Sequence, residues 1–255
     1  MIAVSARRRG VAGFGAFTLL LVAVFAGLGV WQLQRRAEKH VLIAALTERL
    51  AAAPEALPQP SQWGTLTPGK DEFRRVVFSA TYQGVADAMV YSSGSAVRED
   101  IAGPGTWAFL PAGLPTGETV VINAGFVPNT MQDRGFEDRA VARLITNEPV
   151  MLSGYIRFPE SAGALTPPEN LTKRLWFTRD LQAMARALGW GGNGPKLAPF
   201  YIDLELPVPS NGVPKPGPLE VHLRDDHLQY AITWFCLAGA VVIAFGVWVR
   251  GQRRG

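Results

Sequence analysis

Hydrophobic and polar positions follow three different periods along this chain, and each period predicts a different element. Two windows have no polar period at all. VAGFGAFTLLLVAVFAGLGV (11–30) runs 20 residues without a charge, and AITWFCLAGAVVIAFGVWV (231–249) runs 19. At about 1.5 Å per helical residue, each reaches roughly the 30 Å of a bilayer's hydrocarbon core. A single spanning segment must be a helix, because its backbone N–H and C=O groups have no other partners in lipid. The basic start of the first window, with VFA at 24–26, also fits a cleaved signal peptide. Its length and the helical pattern beyond it favour a retained anchor.

The second period is helical. After the first window, Val41, Leu42, Ala45, Leu46 and Leu50 recur at three and four, which extends the helix to about Ala53. Pro54, Pro58 and Pro60 then stop it and predict an extended linker. TRDLQAMARALG predicts one further helix. Thr178 is its expected cap, Asp180 complements its N-terminus, Leu181, Met184, Ala185 and Leu188 form its apolar face, and Gly189 ends it.

The third period is two. RRVVFSATYQG (74–84) places Val76, Phe78, Ala80 and Tyr82 on one face. DAMVYSS, GTWAFLPAG, ETVVINAGFVP, PVMLSGYIRFP and PFYIDLELP read as further strands bounded by Gly, Pro or Asn. The expected fold class is therefore a membrane protein: two transmembrane α-helices flanking a β-rich (α+β) extracytoplasmic domain, an antiparallel barrel or sandwich with one helix. The expected organisation is an N-terminus at 1–10, a first span at 11–30 and a β-rich domain at 31–229 with a helical lead-in at 31–53. A second span at 230–249 and a C-terminus at 250–255 complete it.

Charge changes the picture by its distribution. The net charge is +4 from 25 Lys+Arg and 21 Asp+Glu, but Arg7–Arg9, Arg35, Arg36, Arg250, Arg253 and Arg254 lie at the ends. Between residues 37 and 226 the remaining 17 basic residues face all 21 acidic ones, a net of −4. Acidic middles with basic ends argue against nucleic acid as a partner. They suit a protein in the lipid bilayer with both termini cytoplasmic and the middle translocated. Only ten residues precede the first span, too few for an ordinary organellar presequence. The expected location is a bacterial inner membrane with the main domain periplasmic. Cys236 is the single cysteine and lies in the second span, so the domain has no disulfide and no thiol pair for copper or zinc.

Catalytic motifs are missing: no GxSxG, Walker loop, HExxH or strand-borne GxGxxG occurs, and the expectation is that the chain is not an enzyme. The three histidines are His40, His222 and His227. His40 sits among charges as a solvated residue, and His222 in LEVHLR reads as a strand packing or surface residue. Asp225 and Asp226 read as a solvated flank, Trp107, Trp176 and Trp190 as residues of the domain core or its edge, and Cys236 as a small packing residue. In HLQYAITWF (227–235), Tyr230 and Trp234 follow His227 at i+3 and i+7 on one helix face. With the two spans antiparallel, Trp31 lies at the same depth. Two readings stay open. The residues form an aromatic interface belt, or His227 is an axial ligand for haem iron, with Arg35, Arg36 and Arg224 able to pair with propionates.

Four stretches, in order, resemble the surfeit locus protein 1 family of cytochrome c oxidase assembly factors. LGVWQLQRR (28–36) is similar to its Gly-x-Trp-Gln signature at the end of the first helix. GPGTWAFLPAGLPTGETVVINAGFVP (103–128) resembles its central signature. RLWFTRDLQAMARALG (174–189) looks like its aromatic-then-helix segment, and HLQYAITWFCLA (227–238) like its C-terminal His-Leu-x-Tyr-x-x-Thr-Trp. The likeness runs from residue 14 to about 250. One departure stands out: Asn123, Ala124, Gly125 and Phe126 replace Asn-Arg-Gly-Trp, with Asn123 and Gly125 expected to hold a β-turn. The resemblance implies a protein that assists haem a delivery to, or insertion into, the oxidase catalytic subunit, working with haem a biosynthesis proteins and binding haem a transiently. It implies His227 as the haem ligand; by their position, Tyr230, Trp234, Trp31, Arg35 and Arg36 are the expected surroundings of the haem. The alternative is a membrane chaperone that clasps the nascent oxidase subunit without haem.

Overall fold

A computed structural model describes residues 2–95, 97–129, 134–191, 196–220 and 225–254, with side chains at all of these except 2–12, 42, 134, 136, 137, 253 and 254. The chain divides into two compact units. One comprises Met1–Ala45 with Leu223–Gly255, and the other Leu46–His222.

The first unit is a pair of helices, formed by most of α1 (Ile2–Ala51) and by α5 (His227–Arg254). Gly13–Ala51 and His227–Gln252 are long and apolar enough to cross a membrane. Their apolar side chains point outward: Leu19, Leu20, Ile243 and Val247 are largely exposed. A helix buried in a soluble core does the opposite. The hydroxyls inside these helices turn back on their own backbone, Thr18 Oγ1 donating to Phe14 O at 2.8 Å and Thr233 Oγ1 to Gln229 O at 2.9 Å. Phe14 meets Phe245 and Trp248, and Phe25 stacks on Trp234 with centroids 5.7 Å apart. Contacts that rise in number on α1 fall on α5, so the two helices run antiparallel. Gly29 allows the close approach: a Cβ there would lie 2.7 Å from the Phe235 ring. Cys236 is exposed on α5 rather than packed, a correction to its expected role.

The second unit is built on one eight-stranded sheet. Its strands are β1 (Glu55–Ala56), β2 (Arg75–Tyr82), β3 (Ala88–Ser92), β4 (Gly105–Gly113), β5 (Thr119–Pro128), β6 (Val150–Arg157), β7 (Leu175–Trp176) and β8 (Leu197–Leu206). Strands β2, β6, β8, β5 and β4 follow one another, and β2 returns to pair with β4 through Thr81–Gly113 and Tyr82–Ala112. The five thus close into a ring. The sheet is mixed, not antiparallel as expected: β1–β2, β3–β7 and β5–β8 are parallel. Alternation cannot reveal this, because parallel and antiparallel strands share a period of two.

Two faces of the same strands supply two cores. Ala108, Leu110, Val120, Ile122, Leu152 and Ile202 face one cluster; Trp107, Phe109, Val121, Tyr201 and the apolar side of α4 (Leu181–Leu188) form the other. Double burial explains why β4 and β5 are apolar at almost every position. Asp180, not Thr178, caps α4, accepting from Ala183 N at 2.9 Å, and Gly189 ends it at φ 72°. Two short helices escaped the sequence reading, α2 (Pro68–Asp71) and α3 (Arg134–Ala142). On α3, Ala140 and Val141 are buried, too few apolar positions for a visible period. The proline-rich linker is also more ordered than expected. Trp63, in a 3₁₀ turn at Pro60–Thr65, is buried against Phe200 and donates Nε1–H to Pro58 O at 2.9 Å.

Candidate functional site at one end of the helix pair

Gln32, Arg36 and His40 are spaced four apart, so they lie on one face of α1. The same face carries Phe25 and Gly29, which pack on α5. Where the packing ends, polar groups replace it. His227 opens α5. Its Nδ1 lies 2.7 Å from Gln32 Oε1, and its backbone N–H donates to Asp225 Oδ1 at 3.1 Å. Asp225 Oδ2 takes the rest: His40 Nε2 at 2.7 Å and Arg36 Nε at 3.3 Å. The hydrogen bond from His40 leads those that hold the Asp225 carboxyl below the usual carboxylate range; the backbone of His227 and the side chain of Arg36 add to it.

The imidazole geometry limits its chemistry. The Gln32 amide oxygen only accepts, so His227 Nδ1 carries the proton and the neutral ring keeps its lone pair on Nε2. Among the described residues, none is hydrogen-bonded to Nε2. An imidazole whose N–H is held by a protein acceptor and whose other nitrogen is unengaged has the arrangement of a metal-ligating histidine. The ring is half-buried. Trp31 and Tyr230 are exposed aromatic residues on the same unit, at 47% and 56%. These residues therefore fit an imidazole-ligated planar group, with one ligand from this chain.

The other expected residues are placed differently. Trp234 is committed to Phe25. Arg35 turns along its own helix, bonding Glu38 at 2.9 Å and lying 5.8 Å from the centroid of the Trp31 ring. Arg36 is bound to Asp225. His40 is not simply solvated, and Asp225 is not a solvated flank: the two bond each other, and Asp225 organises the start of α5. His222 and Arg224 lie outside the described residues. Leu219 and Glu220, the start of LEVHLR, are not in a strand. Gln32 was missed, although its spacing to Arg36 and His40 was a readable signal.

The central motif belongs to the sheet unit and proves to be a bulge, not a β-turn. Asn123 pairs with Phe109 and Gly125 with Ala108, leaving Ala124 extra in β5. The extra residue reverses the inward–outward alternation. Ala124 stays in the inner core, while Phe126 joins Trp107 in the outer one, ring centroids 5.3 Å apart. Gly125 has φ 129°, and a Cβ on it would meet Lys215 C at 2.3 Å. Close backbone approach therefore requires glycine here. Asn123 Nδ2 donates to Asp203 Oδ1 at 2.6 Å. Asp203 also receives Arg157 at 2.7 Å, and Arg157 reaches Glu72 at 2.6 Å. This largely buried network joins β5, β8 and β6; its close pairing of one guanidinium with two carboxylates is that of a structural site.

Comparison with known proteins agrees with the residue motifs. A model of the SURF1 family matches residues 19–239. The chain is 32% identical to surfeit locus protein 1 of Homo sapiens over 240 residues, covering 89% of this chain and 75% of the human protein. It is 31% identical to the Rattus norvegicus protein of the same name over 235 residues, 88% of this chain and 72% of that one. A SURF1-like protein of Monosiga brevicollis is 29% identical over 260 residues, 98% of this chain and 92% of the relative.

Proposed function

This chain belongs to the SURF1 family, and on that premise we propose that it is a membrane assembly factor for a haem–copper oxidase, acting where haem a reaches the catalytic subunit. Its two apolar helices cross a bacterial inner membrane with both termini in the cytoplasm, and the sheet unit lies in the periplasm. It performs no chemistry on a substrate; it holds and hands over. His227 is the residue that contacts haem a, through Nε2. Tyr230, one turn further along α5, and Trp31 on α1 offer exposed aromatic surface on the same unit. When bound, haem a supplies an iron that accepts an axial imidazole and an isoprenoid tail that partitions into hydrocarbon. A single axial histidine at a half-exposed position suits a carrier, since it ligates without enclosing.

The observation that carries this reading is the His227–Gln32 hydrogen bond, which directs the proton to Nδ1 and leaves the lone pair on Nε2. The test is the visible spectrum of the detergent-purified chain from cells that make haem a, beside His227→Ala. Haem a bands in the wild type that vanish in the variant support the reading. Equal haem in both removes His227 as ligand.

A second reading has its own observation. Trp234 stacks on Phe25, Phe235 fills the space at Gly29, and His227 holds Gln32. Those contacts also serve a helix hairpin that clasps the nascent oxidase subunit with no haem. A wild type that copurifies with oxidase subunits but is colourless decides for this reading.

A further inference from the structure

We propose that Gln32 is the positioning residue of His227: it fixes the ring's tautomer and orientation, and so sets the ligand strength of Nε2. The inference rests on the reading of His227 as a haem contact. It goes beyond that reading by assigning the control of affinity and redox poise to a residue on the other helix.

The argument starts from what a ligating imidazole requires. A free neutral imidazole exchanges its proton between Nδ1 and Nε2, and only one tautomer leaves the lone pair at the ligating atom. An acceptor at Nδ1 selects that tautomer, and its strength tunes the donation from the other nitrogen. Gln32 Oε1 is that acceptor at 2.7 Å. Asp225, two residues back along the chain, is already committed. Its two oxygens hold the His227 backbone, His40 and Arg36, not the ring. The ring is thus given a neutral acceptor where a carboxylate stands two residues away. A neutral acceptor leaves the imidazole a moderate ligand, whereas a carboxylate would push it toward imidazolate and bind ferric iron more firmly. Moderate ligation is what a protein that must release its haem requires. Two anchors support the placement. Gly29 brings α1 and α5 within contact one helical turn from Gln32, and the Asp225–His227 bond fixes where α5 begins.

The test uses the full chain purified in detergent from cells making haem a, as wild type, His227→Ala, Gln32→Leu and Gln32→Glu. Haem per chain and the midpoint potential of the bound haem are measured by spectroelectrochemical titration. The expected result is that Gln32→Leu weakens haem retention by about tenfold or more and raises the midpoint potential of the fraction still bound. Gln32→Glu, close in shape, keeps its haem and lowers the potential. Opposite shifts in potential are the signature that a residue merely joining two helices does not give. If both Gln32 variants keep wild-type haem and potential while His227→Ala loses its haem, the positioning role is wrong and the ligand reading stands. Equal loss in the two Gln32 variants with no change in potential reduces Gln32 to helix packing and also overturns the proposal. If His227→Ala retains haem, or the wild type carries none, the ligand reading itself fails.

Discussion

The two units use charged and polar side chains for opposite ends. In the sheet unit, Arg157 is enclosed between Glu72 and Asp203, and Asp203 also accepts from Asn123. Arg157 holds two carboxylates at once, and three strands are tied together. In the helix pair, Asp225 gathers two donors from α1 and one from α5, yet His227 is left with one ring nitrogen engaged by no described residue. A satisfied network builds a fold. A network that leaves one imidazole nitrogen unengaged presents that atom. On the proposed function, the atom offered to a ligand lies on the helix pair, although the sheet unit holds most of the buried side chains among the described residues.

The largest effect should come from the sheet unit's core. Trp63→Ala removes the ring packed on Phe200 and the bond to Pro58, and should cost roughly 3–5 kcal/mol in chemical denaturation while sparing the spectrum of any bound haem. A similar loss of haem and stability would break the division between the units. Next is Asp203→Ala, which takes from Arg157 one of its two carboxylate partners and from buried Asn123 its acceptor. Breaking such a pair costs about 3–5 kcal/mol, and Asp203→Asn should recover part of it. A change under about 0.5 kcal/mol, the usual range of surface substitutions, would mean that the network is decoration.

On the helix pair, Gly29→Ala should cost roughly 1–3 kcal/mol of overpacking, measured by thermal unfolding in detergent. Phe235→Ala in the same chain should restore part of the loss, because the added Cβ meets that ring. Additive losses would show that the helices do not meet there.

The smallest effect is a pH dependence in the sheet unit. Arg98, only 3% exposed, donates twice to Asp100, and that bond, with help from Lys215, holds the Asp100 carboxyl well below the usual carboxylate range. A depressed folded pKa gives stability that is full above the unfolded value of about 3.9 and drains away as the pH falls further. The stability gap between wild type and Asp100→Asn should therefore be constant near neutral pH and narrow below about pH 4. A gap that narrows instead above pH 5 would assign the effect to another group.

Much of this molecule was legible in order and little of it in arrangement. The apolar windows, the strands of β2 to β6 and β8, and the α4 helix follow from local periods, since each depends on which face of a short segment meets water. The C-terminal motif pointed to His227 for the same reason: its neighbours at i+3 and i+7 lie close along one helix. The Asn123–Phe126 motif read as a turn because Asn and Gly favour turns. Only the pairing with β4 makes it a bulge, and only the Lys215 backbone explains Gly125.

The sequence by itself determined that two apolar helices flank a β-rich middle, and that His227 stands where one helix begins. The tertiary structure alone decided which strands run parallel, how five of them close a ring, and which residue holds the His227 ring. Periodicity carries information about segments a few residues long. Gln32 and His227 are 195 residues apart in sequence, and a hydrogen bond of 2.7 Å between them exists only because two antiparallel helices bring them to the same level.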